Sequence, residues 1–243
     1  MHEPRLTRQQ QYRRDTMAQI KASAMAQMHK GGPAAVSLSA IARSMAMSAP
    51  ALYRYVDSRD ELLAELAVDV HLALAGTLRA AATRGSSPAA HVEAVATAYR
   101  DWALAQPNAY RLAHGSIHGS GVRHAGDRIA AAAQQSMDVL LEVVAEAGLA
   151  APAPVIPALD DQLRQWNRRG GQRLLSVAVL QFGLIWWSRL HGLVSLELSR
   201  HVAATGIDPE LLYRTEIQAM LGGLHPDAAI PGRADRVGSP HPR

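Results

Sequence analysis

The sequence contains no cysteine. Without cysteine the chain can form neither a disulfide framework nor a thiolate metal site. At 243 residues it is still long enough to bury a sizeable hydrophobic core in one or two domains. We therefore expect a globular protein in a reducing, cytoplasmic compartment.

Long hydrophobic runs are also missing. The most apolar stretch, residues 174–187, spans 14 residues and includes Ser176, Gln181 and Gly183. Because a bilayer-spanning helix needs about 20 apolar residues, this stretch predicts a buried helix, and we expect no membrane partner. The basic segment 1–15 has no apolar run behind it, which argues against a secretory signal.

Common catalytic motifs do not occur. The sequence has no glycine-rich phosphate loop, no serine at a strand-turn-helix elbow and no His-Glu-x-x-His pair. His114, His118 and His124 share one segment, but the nearest acid is Asp127 and no thiolate accompanies them, so we expect no metal site. The chain is predicted to be neither an enzyme nor the carrier of a cofactor.

Strand signals are lacking as well, since no segment shows sustained alternation of apolar and polar residues between turn dipeptides. Apolar residues instead recur at helical intervals, as Met17, Ile20, Ala24 and Met28 do before the stop signal at residues 31–33. The sequence therefore predicts an all-α fold.

Acidic residues are missing from Val36 to Val56. The first 60 residues hold nine Lys or Arg against four Asp or Glu, whereas residues 61–243 hold sixteen against seventeen. The net positive charge of +4 thus arises in the first quarter of the chain. Such a charge distribution is what a nucleic-acid-binding end requires.

Three helix starts surround this acid-free stretch. Ser37, Ser48 and Ser58 each precede a helical apolar pattern, where a hydroxyl can cap free backbone N–H groups. Only Ala46 and Met47 separate the first of these helices from the cap of the second. Two short helices joined by so tight a turn cross steeply, as in a helix-turn-helix, and the second projects its N-terminal residues outward.

Residues 41–63, IARSMAMSAPALYRYVDSRDELL, resemble the DNA-binding segment of the tetracycline-repressor (TetR) family. Tyr53 falls at the family's phosphate-contacting tyrosine, and Arg59 falls where lysine is more usual. The resemblance implies a transcription regulator that binds double-stranded DNA, most often as a repressor released by a small molecule.

Three positions depart from the family pattern. Ala46 stands where the turn often has glycine, so a left-handed backbone there costs on the order of 1 kcal/mol. Tyr55 replaces the common His, and Val56 the common Phe. Tyr55 can still donate to phosphate and Val56 can still pack, but the family's operator preference cannot be carried over.

The resemblance assigns roles to the polar residues of this segment. Ser48 is expected to cap the second helix, with phosphate contacts from Arg5, Ser37, Arg43, Tyr53, Tyr55 and Arg59, and approach to base edges by Ser39, Ala49, Pro50, Ala51 and Arg54. Arg5, together with Arg8, could instead be solvated. Among the base-facing residues only Arg54 has a strong directional donor, so methyl contacts and DNA shape contribute to specificity.

We expect a helix-turn-helix domain over residues 1–66, a helical ligand-binding and dimerisation domain over 67–224, and a disordered tail over 225–243. A long helix from Arg59 to about residue 82 connects the two domains. Residues 114–126 are predicted to form a loop, 151–158 a linker, and 160–172 a polar surface crossover or mobile loop.

The last two predicted helices, one apolar nearly all round and one opened by Asp208-Pro209, could form a four-helix interface in a homodimer. They could also merely complete a monomer core. Residues 102–115 and 185–198 resemble a C-terminal domain of one TetR branch named for a Trp-His-Gly signature, which Trp187, His191 and Gly192 approximate.

That resemblance implies a pocket for an unknown small-molecule effector among the middle helices. The residue types suit such a pocket, because aromatic side chains and methionine can line it while histidines supply polar anchors. The candidates are Tyr99, Trp102, His114, His118, Met137, Phe182, Trp186 and His191. An alternative remains open, namely a helical ligand-binding protein or enzyme without specific DNA binding.

Overall fold

The computed structural model describes residues 7–115, 120–151, 156–169 and 175–222, with side chains throughout except at 120–124 and 169. Within these ranges the chain forms helices and no strand, which confirms the predicted all-α fold. The helices are α1 (Arg8–Gly31), α2 (Leu38–Ser44), α3 (Ala49–Tyr53), α4 (Arg59–Ala81), α5 (Pro88–Ala105), α6 (Pro107–His114), α7 (Ser120–Glu146), α8 (Pro157–Arg169), α9 (Val177–Leu198) and α10 (Pro209–Gly222).

The predicted helix caps are present. Thr7 and Gln10 form a reciprocal capping box at α1, and Ser37, Ser48 and Ser58 each accept a backbone N–H at the start of α2, α3 and α4. Each such cap stabilises a helix by about 1 kcal/mol. These local signals fix where the short helices begin, because a hydroxyl there satisfies backbone donors that the helix cannot.

Two predicted loops are wrong in part. Within the loop predicted over 114–126, His114 belongs to α6 and residues from Ser120 onward belong to α7. The polar segment predicted as a surface crossover over 160–172 is helical as far as Arg169, in α8. The reason is that Leu159, Leu163 and Trp166 fall on one face of α8 and pack with Leu141 and Leu180. A narrow apolar face was enough to order a helix that is otherwise polar.

One continuous hydrophobic core runs through the molecule, from Ile20 of α1 to Met220 of α10. The long helix α4, about 35 Å at 1.5 Å per residue, packs along α7 and also touches α1, α5 and α6. Helix α1, which packs against α2, contacts the larger helical part through both α4 and α6.

Side-chain bonds fasten the last two helices to α5. Arg100 of α5 makes a two-pronged ion pair with Glu197 of α9, with N–O distances of 2.8 and 2.7 Å. The hydroxyl of Tyr213 in α10 donates to the carbonyl of Ala96 at 2.8 Å. Helices α9 and α10 are thus held on one side, while their other side carries exposed apolar residues.

Helix α9 is longer than the apolar run from which it was predicted. Among the described residues it is the one helix whose length and hydropathy would permit a membrane span, with a mean hydropathy of 1.2 and 28% of that window buried. A core helix meets the same criterion, and Trp186, Leu190 and Val194 of α9 do lie in the hydrophobic core. The helix is therefore weak evidence for a membrane segment.

Candidate nucleic-acid interface and interior cavity

The turn between α2 and α3 depends on a left-handed residue. Ala46 has φ 53°, the left-handed backbone anticipated for this position. Its N–H donates to the carbonyl of Arg43 at 3.2 Å, and the N–H of Met47 donates to the carbonyl of Ala42 at 2.9 Å. This pair of bonds ends α2 sharply and satisfies its last carbonyls. Helix α3 therefore starts after only a few residues.

Helix α3 presents nearly all its surface to solvent. Leu52 is 1% exposed and anchors the helix in the core, whereas Tyr53 is 52% exposed. Ser48, Ala49, Pro50 and Arg54 are also exposed, and Ala51 is half-buried. The base-facing residues predicted from the sequence thus share one accessible surface with a tyrosine hydroxyl and a guanidinium.

Helix α2 adds hydroxyl groups beside α3. The Ser37 hydroxyl accepts the Ala40 N–H and lies 3.1 Å from the Ser39 hydroxyl. The backbone N–H of Ser37 donates to the side chain of Gln27 in α1 at 2.8 Å, which fixes the start of α2. Ser39 and Arg43 are exposed and available to an anionic partner.

Arg13 of α1 supports the end of α3, a role that the sequence did not indicate. Its guanidinium lies 5.5 Å from the centre of the Tyr55 ring and donates to the carbonyl of Arg54 at 3.3 Å. Tyr55 is half-buried as a result and packs against the core. No local pattern in the sequence pairs residues 13 and 55, because the contact arises from tertiary packing.

Arg59 was predicted to contact phosphate, but in the structure its guanidinium makes internal hydrogen bonds. Its Nε donates to the Val36 carbonyl at 2.9 Å, and one terminal nitrogen donates to the Pro33 carbonyl at 2.6 Å. The guanidinium therefore fastens the start of α4 to the loop before α2. This arrangement makes Arg59 a positioning residue for the helix-turn-helix. Arg5 lies outside the described residues.

A cavity of about 430 Å³ lies in the larger helical part of the molecule. Its wall is contributed by α4 to α9 and is mostly apolar. The lining residues are His71, Leu74, Leu78, Val95, Ala96, Tyr99, Ala113, His114, Ile129, Ala130, Ala133, Gln134, Ser136, Met137, Leu140, Trp166, Trp187 and Leu190.

The structure brings three of the predicted ligand residues to this cavity, namely Tyr99, His114 and Met137. Trp102 is buried in the core, and Phe182 and Trp186 line a separate cleft of about 290 Å³ on the side of α9 toward α10. His118 lies outside the described residues. These placements follow from burial, because an aromatic residue on the inward face of a helix is more often packed in the core than exposed to a cavity.

His191 does not line the cavity but contacts two residues that do. Its Nδ1 lies 3.1 Å from the hydroxyl of Tyr99 and 3.0 Å from that of Tyr110, and its ring stacks on Trp187 with centroids 5.2 Å apart. The Tyr110 hydroxyl also lies 2.7 Å from that of Ser195. Two lining residues, Tyr99 and Trp187, are thereby held in place by a group that does not line the cavity.

Burial keeps the histidines of this region neutral. Burial, followed by the neighbouring His191 and His71 rings, lowers the pKa of His114 to about 3. Burial also lowers the pKa of His71, against a hydrogen bond to the backbone of Ala113, and lowers the pKa of His191. Near pH 7 the three imidazoles therefore add no charge to the cavity region.

The sequence interpretation missed several lining residues, including His71, Ser136, Trp166 and Trp187. Trp187 follows Trp186, and the helical spacing alone assigned the earlier tryptophan. Trp166 lies on α8, which was not predicted to be a helix. Helical periodicity identifies which face of a helix points to the interior. It does not show where the interior faces of neighbouring helices are far enough apart to leave a cavity.

Comparisons with known proteins match two parts of the chain. Residues 20–66 match the family model described as bacterial regulatory proteins, tetR family. Residues 92–220 match the model described as the Tetracyclin repressor-like, C-terminal domain. The first match contains α2, α3 and the start of α4, and the second contains most of the residues that line the cavity.

Similar proteins carry regulator names. The HTH-type transcriptional regulator Rv1816 of Mycobacterium tuberculosis is 31% identical over 229 residues, covering 87% of this chain and 95% of that protein. The HTH-type transcriptional regulator Mb1846 of Mycobacterium bovis matches to the same extent, at 31% identity over 229 residues. Both similarities cover most of the chain.

Solved structures share the fold. The candidate regulatory protein SCO4313 is 38% identical with a TM-score of 0.71, covering 90% of this chain and all of that one. A Rhodococcus sp. RHA1 protein of unknown function is 23% identical with a TM-score of 0.65, covering 85% and 94% of the two chains. The chain belongs to the tetracycline-repressor family and is a DNA-binding transcriptional regulator rather than an enzyme.

Proposed function

We propose that the protein is a cytoplasmic repressor that binds a DNA operator as a homodimer and leaves it when a small molecule enters the cavity. The exposed, acid-free surface of α2 and α3 is the observation that supports this most strongly. Its hydroxyl, phenol and guanidinium donors match phosphate oxygens, and family members typically act as dimeric repressors with small-molecule effectors.

The DNA contacts divide by the kind of group. Tyr53 and Arg43 are exposed donors that would bind phosphates, with Arg54 directed to base edges beside the small residues of α3. Ser37 and Tyr55 are partly committed to internal contacts, so we expect smaller contributions from them. Arg59 would act by holding the loop before α2 rather than by touching DNA.

The two proposed functions belong to successive parts of the chain. We assign DNA binding to residues 1–66 and effector binding and dimerisation to residues 67–224. The tail predicted as disordered, 225–243, lies outside the described residues, and we give it no role. The C-terminal domain approximates the Trp-His-Gly signature with Trp187, His191 and Gly192, and its half-buried His191 lies within hydrogen-bond distance of the Tyr99 and Tyr110 hydroxyls.

Dimerisation is proposed through α9 and α10. Four apolar residues on these helices are exposed, with exposed fractions of 44% for Ile185, 46% for Leu196, 60% for Leu211 and 36% for Leu212. A second copy that covers this face would remove them from water. Two copies related by a two-fold axis would then present α3 to half-sites about one helical turn of DNA apart.

The test compares variants in a fluorescence-anisotropy titration with operator DNA. Tyr53→Phe with Arg54→Ala should weaken binding and flatten its salt dependence, because one phosphate donor and one cation are lost. Arg79→Ala removes the same charge from an exposed position in the last turn of α4 and is the matched control. Equal affinity and equal salt slope in the double variant and the control would reject this surface as the DNA-binding site.

A further inference from the structure

We infer that the cavity receives an uncharged, largely aromatic molecule of about 17 non-hydrogen atoms that carries one or two hydrogen-bonding groups, recognised by Ser136 and His114. This inference rests on the proposed function only in treating the occupant as the effector. The chemical class follows from the size of the cavity, from the charge of its wall and from the polar atoms in that wall.

The volume of the cavity sets the scale of the occupant. An engineered cavity of about 150 Å³ in another protein holds one benzene molecule, which has six non-hydrogen atoms. Scaled to the 430 Å³ of this cavity, the same packing accommodates about 17 such atoms. The occupant is thus the size of two or three fused or linked rings, well below that of a nucleotide cofactor or a peptide.

The charge of the wall excludes ions. Among the described residues that line the cavity there is no Asp, Glu, Lys or Arg. Burial keeps the pKa of His71 and His114 low, so these rings supply no positive charge near pH 7. An anion or a cation would have to lose its hydration without a counter-charge, which costs several kcal/mol.

The polar capacity of the wall is small because internal partners already occupy most of its polar atoms. Gln134 donates to Asp138 at 2.8 Å and accepts from the Trp166 indole at 3.3 Å. The Tyr99 hydroxyl is engaged with His191 at 3.1 Å. A strongly hydroxylated molecule such as a sugar would therefore leave most of its groups without partners.

Ser136 and His114 offer polar atoms to an occupant. The buried hydroxyl of Ser136 on α7 has no hydrogen-bond partner in the part of the chain that the structure describes. His114 on α6 reaches the Tyr99 hydroxyl only at 3.5 Å, a separation at which a ligand group can readily replace it. Because an unpaired buried hydroxyl is costly, a ligand that bonds to Ser136 gains affinity from satisfying it.

The apolar part of the wall favours flat rings. Trp166 and Trp187 lie on α8 and α9, and Met137 and Leu140 belong to α7. Aromatic rings pack well against indole faces and against the polarizable thioether of methionine. An aromatic occupant would thus contact side chains from α7, α8 and α9 at once.

The test uses two probes with one skeleton. N-phenyl-1-naphthylamine is neutral, has a single N–H donor and fluoresces strongly in apolar surroundings, and 1-anilinonaphthalene-8-sulfonate adds only an anionic group. Titration of the full-length protein should show saturable binding of the neutral probe, one per protomer. The sulfonate should bind at least roughly tenfold more weakly, since its charge finds no partner. Equal or tighter binding of the sulfonate would overturn the inference.

Variants locate the site. Ala133→Phe fills the cavity and should abolish binding of the neutral probe, whereas undiminished binding would place the probe elsewhere and overturn the inference. Ser136→Ala should weaken binding about three- to tenfold, the range for one neutral hydrogen bond, and Gln135→Ala on the same helix is the control. Ser136→Ala should also raise the melting temperature of the ligand-free protein, because an unpaired buried hydroxyl is removed.

The outcomes separate this inference from the proposed function. Probe binding is measured by fluorescence without DNA, and operator release is measured by anisotropy in a parallel experiment. Selective binding of the neutral probe without DNA release supports the ligand class and argues against ligand-released repression. Intact operator binding with no binding of the neutral probe overturns the ligand class and leaves the regulator assignment standing.

Discussion

At the scale of single residues, Ala46 carries backbone strain that the helix-turn-helix requires. Its left-handed conformation allows the N–H groups of Ala46 and Met47 to reach back to the last carbonyls of α2. For a residue with a Cβ atom this conformation costs about 1–2 kcal/mol, whereas glycine adopts it freely. The left-handed turn is needed because it places α3 on the surface.

Ala46→Gly should therefore stabilise the protein by about 1 kcal/mol, the relieved strain less the added flexibility of the unfolded chain. Urea denaturation should show a higher midpoint with an unchanged slope. Ala40→Gly, inside α2, is the control and should lower stability by about 1 kcal/mol. A loss of stability in Ala46→Gly similar to that of the control would show that strain at Ala46 is absent.

The neutral state of His114 makes stability depend on pH. Burial lowers the folded-state pKa of His114 to about 3, below its usual 6.5, so the unfolded chain binds a proton first as pH falls. The contribution of His114 to the free energy of unfolding is therefore fully present above pH 6.5 and is lost progressively as the pH falls. Between pH 7 and pH 5 the loss amounts to about 2 kcal/mol at 1.36 kcal/mol per unit.

His114→Gln should lose about 2 kcal/mol less stability than the wild type between pH 7 and pH 5, because no proton is taken up at this position on unfolding. Urea titrations at both pH values measure the difference. Met137→Ala, which alters the same cavity wall without removing an ionisable group, should show the wild-type pH dependence. An identical pH dependence in His114→Gln would mean that burial of His114 does not shift its titration.

Sequence reasoning was most successful where the cause is local. The serine caps of α2, α3 and α4 were predicted because a hydroxyl and the N–H groups it satisfies lie within three residues of each other. It was least successful for contacts between distant segments. Arg59 was read as a phosphate ligand, but its donors are directed to Pro33 and Val36, and no spacing in the sequence foretells that bond.

At the scale of helices, an ion-pair network joins α1, α4 and α7. Lys21 lies 3.2 Å from Glu65 and 2.9 Å from Asp69, and Arg128 of α7 also pairs with Glu65. Burial alone would raise the pKa of Glu65, but hydrogen bonds from Arg128 and Lys21 contribute to lowering it. Arg128 precedes Ile129 of the cavity wall, so the network links that wall to the DNA-binding end.

Glu65→Gln should weaken the communication between the two sites. We expect the ligand-induced loss of operator affinity to fall by about fivefold, while ligand affinity measured without DNA changes little. Arg164→Gln breaks the Arg164–Asp160 pair within α8 and serves as the control. Full ligand-induced release in Glu65→Gln would show that the network is structural and does not transmit the effect of the ligand.

Helix α8 shows why some elements escaped prediction. Its sequence is rich in charged and amide residues and is followed by two glycines, so composition favoured a loop. Only Leu159, Leu163 and Trp166 are spaced for a helix, and their partners on α7 and α9 are close in space but distant in sequence. Tertiary packing decided the structure of a segment whose local signals were weak.

At the scale of the whole molecule, the apolar face of α9 and α10 predicts the assembly state. Leu211→Glu with Ile185→Glu should convert a dimer to a monomer, because two charges would be buried between copies. Sedimentation velocity measures the change. Leu72→Glu, at a residue 42% exposed on α4, is the control and should leave the dimer intact. A monomeric wild type at micromolar concentration would contradict dimerisation through this face.

The central claim is specific recognition of DNA by the surface of α2 and α3. The most direct test is a fluorescence-anisotropy titration of the wild-type protein against the DNA upstream of its own coding region, at two salt concentrations with excess nonspecific competitor. We predict tight, competitor-resistant binding with two protomers per site and an affinity that falls as salt rises. Weak binding that competitor removes equally from every duplex would contradict the account, because a basic surface alone would then explain the interaction.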